Sequence, residues 1–187
     1  MDVRDAGALE AFAATVQGDV ALVFANAGVL RTGAVASQPA ADLKLMLEIN
    51  VLGAIQTLQA FLPRLKAQAD PSRLVVTGSE ASFAPFANLG GYCATKHALL
   101  ALTEALSMEL AAEGSNVAVS LLTPGSVDTA IFGDQGAPNM ARAITPERVA
   151  EIAFEGIAAE RGIIATHADL RDRLEAQLAA IRARLGD

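Results

Sequence analysis

The chain has 187 residues, 52% apolar and 19% charged, which is enough to bury the core of one sizeable domain. A formal charge of −7 without any Lys/Arg-rich block argues against nucleic acid or an anionic membrane as the main partner. No apolar run approaches the roughly 20 residues needed to span a bilayer, the start "MDVRDAGALE" lacks a signal-peptide h-region, and Cys93 stands alone, so no disulfide or Cys-based metal site is expected.

Short apolar runs alternate with long helical patterns. "DVALVFANAG" (19–28) opens as a buried strand and runs into a Gly turn, and residues 38–68 carry Leu43, Met46, Leu47, Val51, Ile55, Leu58 and Leu62 at helical spacing. "SRLVVTGS" (72–79) is the next strand, followed by a helix over 92–112 that ends near Gly114. "NVAVSLLTPG" (116–125) is a third strand. A helix then starts at "TPERV", with Thr145 as N-cap and Pro146 at the first helical position. "GIIAT" (162–166) and a terminal helix with the stripe Leu170, Leu174, Leu178, Ile181 and Leu185 complete the order. Only eight residues are aromatic and none is Trp, so the core must be Ala, Val, Leu and Ile, which suits helices on a parallel sheet buried on both faces. The order βαβαβαβα predicts such a sheet in one domain over residues 1–187.

Ligands of open parallel sheets bind beyond the carboxyl ends of the strands. Those ends carry Asn26-Ala27-Gly28, Thr77-Gly78-Ser79 and Pro124-Gly125. Tyr92, the only tyrosine, precedes Lys96 by four positions, so the two share a helix face. An ammonium beside a phenol favours the phenolate, which predicts that Lys96 lowers the Tyr92 pKa from its usual value near 10. Ser79, at a strand tip facing the same cleft, has a hydroxyl able to hold a carbonyl or alcohol oxygen beside Tyr92, and Ser82 is its nearby competitor. Asn50 lies within the long helix beside its buried stripe, where an amide must find partners; it reads either as a surface residue or as a polar anchor for water near Lys96. His97 follows Lys96 directly, points about 100° away around the helix and reads as structural, while His167 has no evident partner.

"ANAG", Asn50, Ser79, "YCATK" and "PGSVDT" together, in this order and over nearly the whole chain, resemble the short-chain dehydrogenase/reductase family in its short, single-domain branch. The resemblance implies a Rossmann-like, doubly wound parallel α/β sheet and an oxidoreductase using NAD or NADP on a small alcohol or ketone. It implies Tyr92 as general acid/base and Ser79 as the group positioning the reacting oxygen. Lys96 would tune Tyr92 and bind the nicotinamide ribose, and Asn50 would extend a proton relay through water. Asn26, Ala27 and Gly28 would line the cofactor cleft, Pro124, Gly125, Val127 and Thr129 would cradle the nicotinamide, and Asp2 and Val3 would contact adenine. It further implies a homodimer or homotetramer paired through helices 38–68 and 92–112. The segment 130–143, loop-like with Gly and Pro, reads as a substrate lid, and the composition and N-terminus make a soluble cytoplasmic protein the default expectation.

One family feature has no counterpart here. A dinucleotide-binding sheet opens with a strand and a Gly-rich turn whose backbone approaches the pyrophosphate at a helix N-terminus. No two of the fifteen glycines flank a single residue, so G-x-G occurs nowhere, and "MDVRD" resembles the end of the family's third strand. Two accounts stand: an internal methionine of a longer enzyme taken as the start, or a shortened protein kept for assembly, regulation or sensing. Either way the expectations are an exposed apolar edge at the strand 19–25 and weak dinucleotide binding by these residues alone.

Overall fold

The computed structural model describes residues 1–135 and 140–186, and its helices and strands follow the predicted order. A helix not foreseen from the sequence, α1 (Ala6–Thr15), comes first; the Asp5 side chain caps it by accepting from the Ala8 N–H at 3.0 Å. Four strands follow: β1 (Leu22–Ala25), β2 (Ser72–Thr77), β3 (Val117–Thr123) and β4 (Ile163–Ala165). All described pairs are parallel, in the order β1-β2-β3-β4, with Val23 opposite Leu74, Leu74 opposite Val119 and Leu121 opposite Ile163. Asn26, Gly78, Pro124 and Thr166 therefore leave the sheet along one edge.

Side chains alternate across the sheet, and the two faces are covered unequally. On one face Val23, Leu74, Val76, Val119 and Leu121 meet Phe61 and Leu65 of α3 (Gly53–Ala67) and Leu99 of α4 (Gly90–Ala112). Leu65, Leu74 and Leu121 are fully buried, each stabilising by roughly 1.5–3 kcal/mol relative to exposure. On the other face Val75, Leu122 and Ile164 pack on Ala153 of α5 (Pro146–Ala158). That helix meets β1 in an edge-on contact of Phe154 with Phe24, ring centres 6.3 Å apart, and both rings are exposed. Among the described strands β1 has a neighbour on one side only, as the sequence led us to expect.

Where the sequence predicts one helix over 38–68, the path is α2 (Ala40–Met46), a π-helical segment over Leu47–Leu52 and then α3. This stretch of 28 residues is long and apolar enough to cross a membrane, but its buried side lies in the core and includes the polar Asn50 and Thr57. The Thr145 hydroxyl caps α5 by accepting from Arg148 N–H at 3.2 Å. Gly114 stops α4 in the left-handed region, φ +64°, which a side chain would strain. The terminal helix is α6 (Leu170–Leu185), whose stripe is buried only at Leu170; Leu178, Ile181 and Leu185 are exposed.

Candidate active site

Tyr92 and Lys96 sit on the first turns of α4, 8% and 4% exposed, so the spacing places both inside the protein. Lys96 Nζ donates to the Thr77 carbonyl at 2.7 Å, which pins the tip of β2, and lies 5.6 Å from the centre of the Tyr92 ring. Ser79 begins a single 3-10 turn, Glu80–Ser82; its hydroxyl accepts from Ala81 N–H at 3.1 Å, and Ser82 Oγ accepts from Ser79 N–H at 3.2 Å. Ser82 thus serves the turn and leaves Ser79 as the hydroxyl that faces Tyr92.

The electrostatics correct one expectation. Burial pushes the Tyr92 phenol up to about 12; a hydrogen bond with Ser79 opposes this, and the neighbouring Cys93 adds to it. Lys96 does not pull the phenol below its usual value, because burial also holds Lys96 itself down to about 8. Its ammonium is directed at the Thr77 carbonyl. In a site this dry, removing charge from water outweighs the attraction between the partners. Tyr92 is a protonated phenol at neutral pH.

Asn50 is 1% exposed and sits within the π segment, a backbone form that is rare and concentrated at functional sites. Its Oδ1 accepts from Val29 N–H at 2.7 Å, and its Nδ2 donates to the Val29 carbonyl at 2.9 Å and to Thr95 Oγ1 at 3.1 Å. Thr95 in turn donates to the Tyr92 carbonyl at 2.7 Å. The surface reading of Asn50 is overturned: the amide clamps the loop after β1 to the helix that carries Tyr92. Any relay through its side chain has one remaining lone pair on Oδ1 to use.

A cleft of about 1000 Å³ opens along the strand tips. Tyr92, Lys96 and Ser79 line it with Asn26, Ala27 and Gly28 on one side and Pro124, Gly125, Val127 and Thr129 on the other. Thr77 Oγ1 donates to Asn26 Oδ1 at 2.9 Å, joining the tips of β1 and β2. Asp2 and Val3 are not brought to this cleft. Asp2 is paired with Arg4 and lines a separate pocket with Glu48 and Gln56. Val3 packs so tightly on Gly53 that a Cβ there would lie 2.6 Å from its Cγ2. Of the expected lid, Ala130–Gln135 and Met140–Arg142 form 3-10 turns, Ile131 and Phe132 reach the cleft, and residues 136–139 lie outside the described residues.

A polar cluster that no sequence pattern announces stands at the far end of the cleft. Glu80, one residue beyond Ser79, is 6% exposed, and Arg173 of α6 donates to its Oε2 at 2.6 Å. Arg142 lies 3.5 Å from Glu80 Oε1 and also pairs with Asp169. His167, which the sequence left without a partner, has three contacts: Nε2 donates to the Arg142 carbonyl at 3.0 Å, Nδ1 is 2.8 Å from Thr166 Oγ1, and Nδ1 is 4.0 Å from Glu80 Oε1. A Cβ at Gly125 would stand 2.6 Å from Glu80 Oε1 and 2.7 Å from His167 Nδ1, so only glycine fits. His97 is structural as expected, its Nδ1 lying 2.8 Å from the Cys93 carbonyl. The missed partners Thr77, Thr95, Glu80 and Arg173 carry a weak signal in the sequence, since each is a common residue type given meaning only by its neighbour in space.

Comparison with known proteins follows the same lines. The family profile described as short chain dehydrogenase matches residues 1–140. The chain is 33% identical over 181 residues to a 1-deoxy-11-beta-hydroxypentalenate dehydrogenase of Streptomyces avermitilis, covering 92% of this chain and 66% of that protein. Among solved structures it is similar to a short chain dehydrogenase/reductase from Burkholderia phymatum in complex with NAD, with TM-score 0.88, 28% identity, and 98% of this chain and 75% of that one covered. It is also similar to an alcohol dehydrogenase from the archaeon Thermococcus sibiricus complexed with 5-hydroxy-NADP, with TM-score 0.77, 30% identity, and 88% and 71% covered. The chain spans 66% of the length of the curated Streptomyces relatives it matches.

Proposed function

The chain belongs to the short-chain dehydrogenase family, and from that premise we propose that its cleft interconverts an alcohol and a carbonyl with NAD or NADP, and that these 187 residues by themselves are catalytically impaired. The observation that carries the first half is a single buried tyrosine, hydrogen-bonded to Ser79, in one cleft with a buried lysine. The second half rests on the absence of any G-x-G turn from the sequence.

The residues present suit one side of a nicotinamide dinucleotide. Lys96 spends one of its three N–H donors on Thr77, leaving two for ribose hydroxyls. The loop backbone at Gly28 runs close by: a Cβ there would sit at ordinary contact distance, 3.5 Å from Asn50 Oδ1 and 3.8 Å from Lys96 Nζ. Pro124, Gly125, Val127 and Thr129 offer a mostly small, apolar wall for a nicotinamide ring. The sequence has no G-x-G turn, so the pyrophosphate lacks the cradle that such a turn builds at a helix N-terminus.

A bound nicotinamide supplies the hydride donor or acceptor. The rest of the work falls to the chain. Ser79 holds the reacting oxygen, and Tyr92 gives its proton to that oxygen as charge develops on it. With its pKa near 12, Tyr92 is loaded for carbonyl reduction at neutral pH, whereas alcohol oxidation needs the phenolate and so gains rate as pH rises. Thr95 and Asn50 hold the phenol-bearing turn against the loop after β1. A Streptomyces relative named for dehydrogenating a hydroxypentalenate favours an alcohol/carbonyl pair. Exposed Leu47, Leu52, Leu102 and Met108 on the two long helices supply apolar surface for pairing of two copies.

Turnover of a panel of ketones at millimolar dinucleotide tests the catalytic half. Residual activity of the wild-type chain should fall at least about a hundredfold in Tyr92→Phe, the lower end of the range for loss of an acid/base. Equal rates in the two chains would sink the catalytic reading and leave an interaction protein with a relic site.

A further inference from the structure

The cleft is charged in a direction opposite to the chain as a whole. Among its described lining residues there is one carboxylate, Glu80, against three cationic groups, Lys96, Arg142 and Arg173, in a protein with formal charge −7. Lys96 is committed at the strand tips. The two arginines stand elsewhere: both converge on Glu80, directly after Ser79, and the Arg173 guanidinium lies 4.9 Å from the centre of the Phe86 ring. Phe86 packs with Phe132 against the apolar cluster that contains Tyr92 and Leu89.

Both guanidiniums have donors to spare. Arg173 uses Nη1 on Glu80, and Arg142 uses Nη2 on Glu80 and Asp169; their other N–H groups have no partner among the described residues. Their side chains are 29% exposed, whereas that of Glu80 is 7% exposed. Glu80 is therefore the inner strut that aims two planar donors toward the cleft. A guanidinium fork with unfilled N–H groups matches a carboxylate in geometry and charge. A surface ion-pair network would need no apolar platform beneath it, and this one stands on Phe86.

We propose that Arg142 and Arg173 form an anion pole that selects substrates bearing a carboxylate on an apolar body. The body lies on Phe86, Leu89 and Phe132, and the carboxylate takes the free donors beside Glu80. This deepens the assignment of the cleft as a substrate site and rests on it. Gly125 and His167 act as positioning residues: Gly125 leaves room for Glu80, and His167 holds the backbone of Arg142.

Calorimetry on the full 187-residue chain with adamantane-1-carboxylate and adamantane-1-carboxamide, in low salt and without dinucleotide, tests the proposal. The two probes share an apolar body and differ in charge. The carboxylate should bind about tenfold more tightly than the carboxamide. Arg173→Gln should bring the carboxylate to the level of the carboxamide while leaving the carboxamide within about twofold. Glu80→Gln releases Arg173 from its internal anion, while Arg142 keeps Asp169, and should tighten the carboxylate several-fold, a gain that damage to the fold would not produce. Equal affinity for the two probes, no binding of either below about 5 mM, or an equal loss of both in Arg173→Gln would each overturn the anion pole. Because no turnover is measured, carboxylate binding in a chain that never reduces a ketone would contradict the proposed reaction alone. Turnover without carboxylate preference would contradict the anion pole alone.

Discussion

Replacing Lys96 with Met removes a titrating group that burial has pushed down from 10.5 to about 8. An amine whose pKa falls on folding binds its proton less tightly in the native chain than in the unfolded one. Stability therefore rises with pH between about 8, the native value, and 10.5, the unfolded one, as the unfolded state alone keeps its proton. Over the whole interval the gain is of order 3 kcal/mol, and between about pH 7 and 9.5 it is of order 2 kcal/mol. Cys93, raised by burial, works in the opposite sense as pH rises through the thiol range, but it is common to both chains and cancels in the comparison. At one pH the test is blunt, because losing the Nζ bond to the Thr77 carbonyl and relieving the buried charge have similar size and opposite sign. The slope decides. Urea unfolding followed by circular dichroism across this range should show wild-type stability climbing relative to Lys96→Met, with the gap changing by about 2 kcal/mol. Parallel curves would mean that Lys96 keeps an ordinary pKa, and the account of a dry site would be wrong.

Two further outcomes follow from the same geometry. Tyr92 is the only tyrosine and the chain has no Trp, so its ionisation can be read directly from near-ultraviolet absorbance. The phenolate should not form until about pH 12 in the native chain, and stability should fall as pH rises from about 10 toward 12; a native midpoint below 10 would refute the burial argument. Asn50→Ala strands the Val29 N–H and carbonyl and should cost about 2–3 kcal/mol, measured by denaturant unfolding. An effect below about 0.5 kcal/mol, as at ordinary surface positions, would show that the loop after β1 does not depend on the clamp.

The parts of the site legible in the sequence were those set by local geometry. Tyr92 and Lys96 share a helix face because four residues make about one turn, and Ser79 and Pro124 sit at strand tips because apolar runs end there. The predicted helix over 38–68 was right in extent but hid the π segment at Asn50, which no hydrophobic period reports. The pKa of Tyr92 was misjudged because spacing reveals a neighbour but not how dry the neighbourhood is. The Glu80, Arg142, His167 and Arg173 cluster joins residues up to 93 positions apart, and such a meeting exists only once the sheet has aligned the ends of β2, β3 and β4 and the chain has folded α6 back over them. The helix α1 was missed although Asp5 before "AGALEAFAAT" is a recognisable cap.

The central claim is that the cleft holds the nicotinamide side of the site without a cradle for the phosphates. Calorimetric titration of the 187-residue chain with reduced nicotinamide mononucleotide and with NADH compares the half that fits with the whole. The account predicts weak binding of both, in the millimolar range and within about threefold of each other, because the second phosphate and the adenosine find no partner. Micromolar binding of NADH, about a hundredfold or more tighter than the mononucleotide, would contradict it.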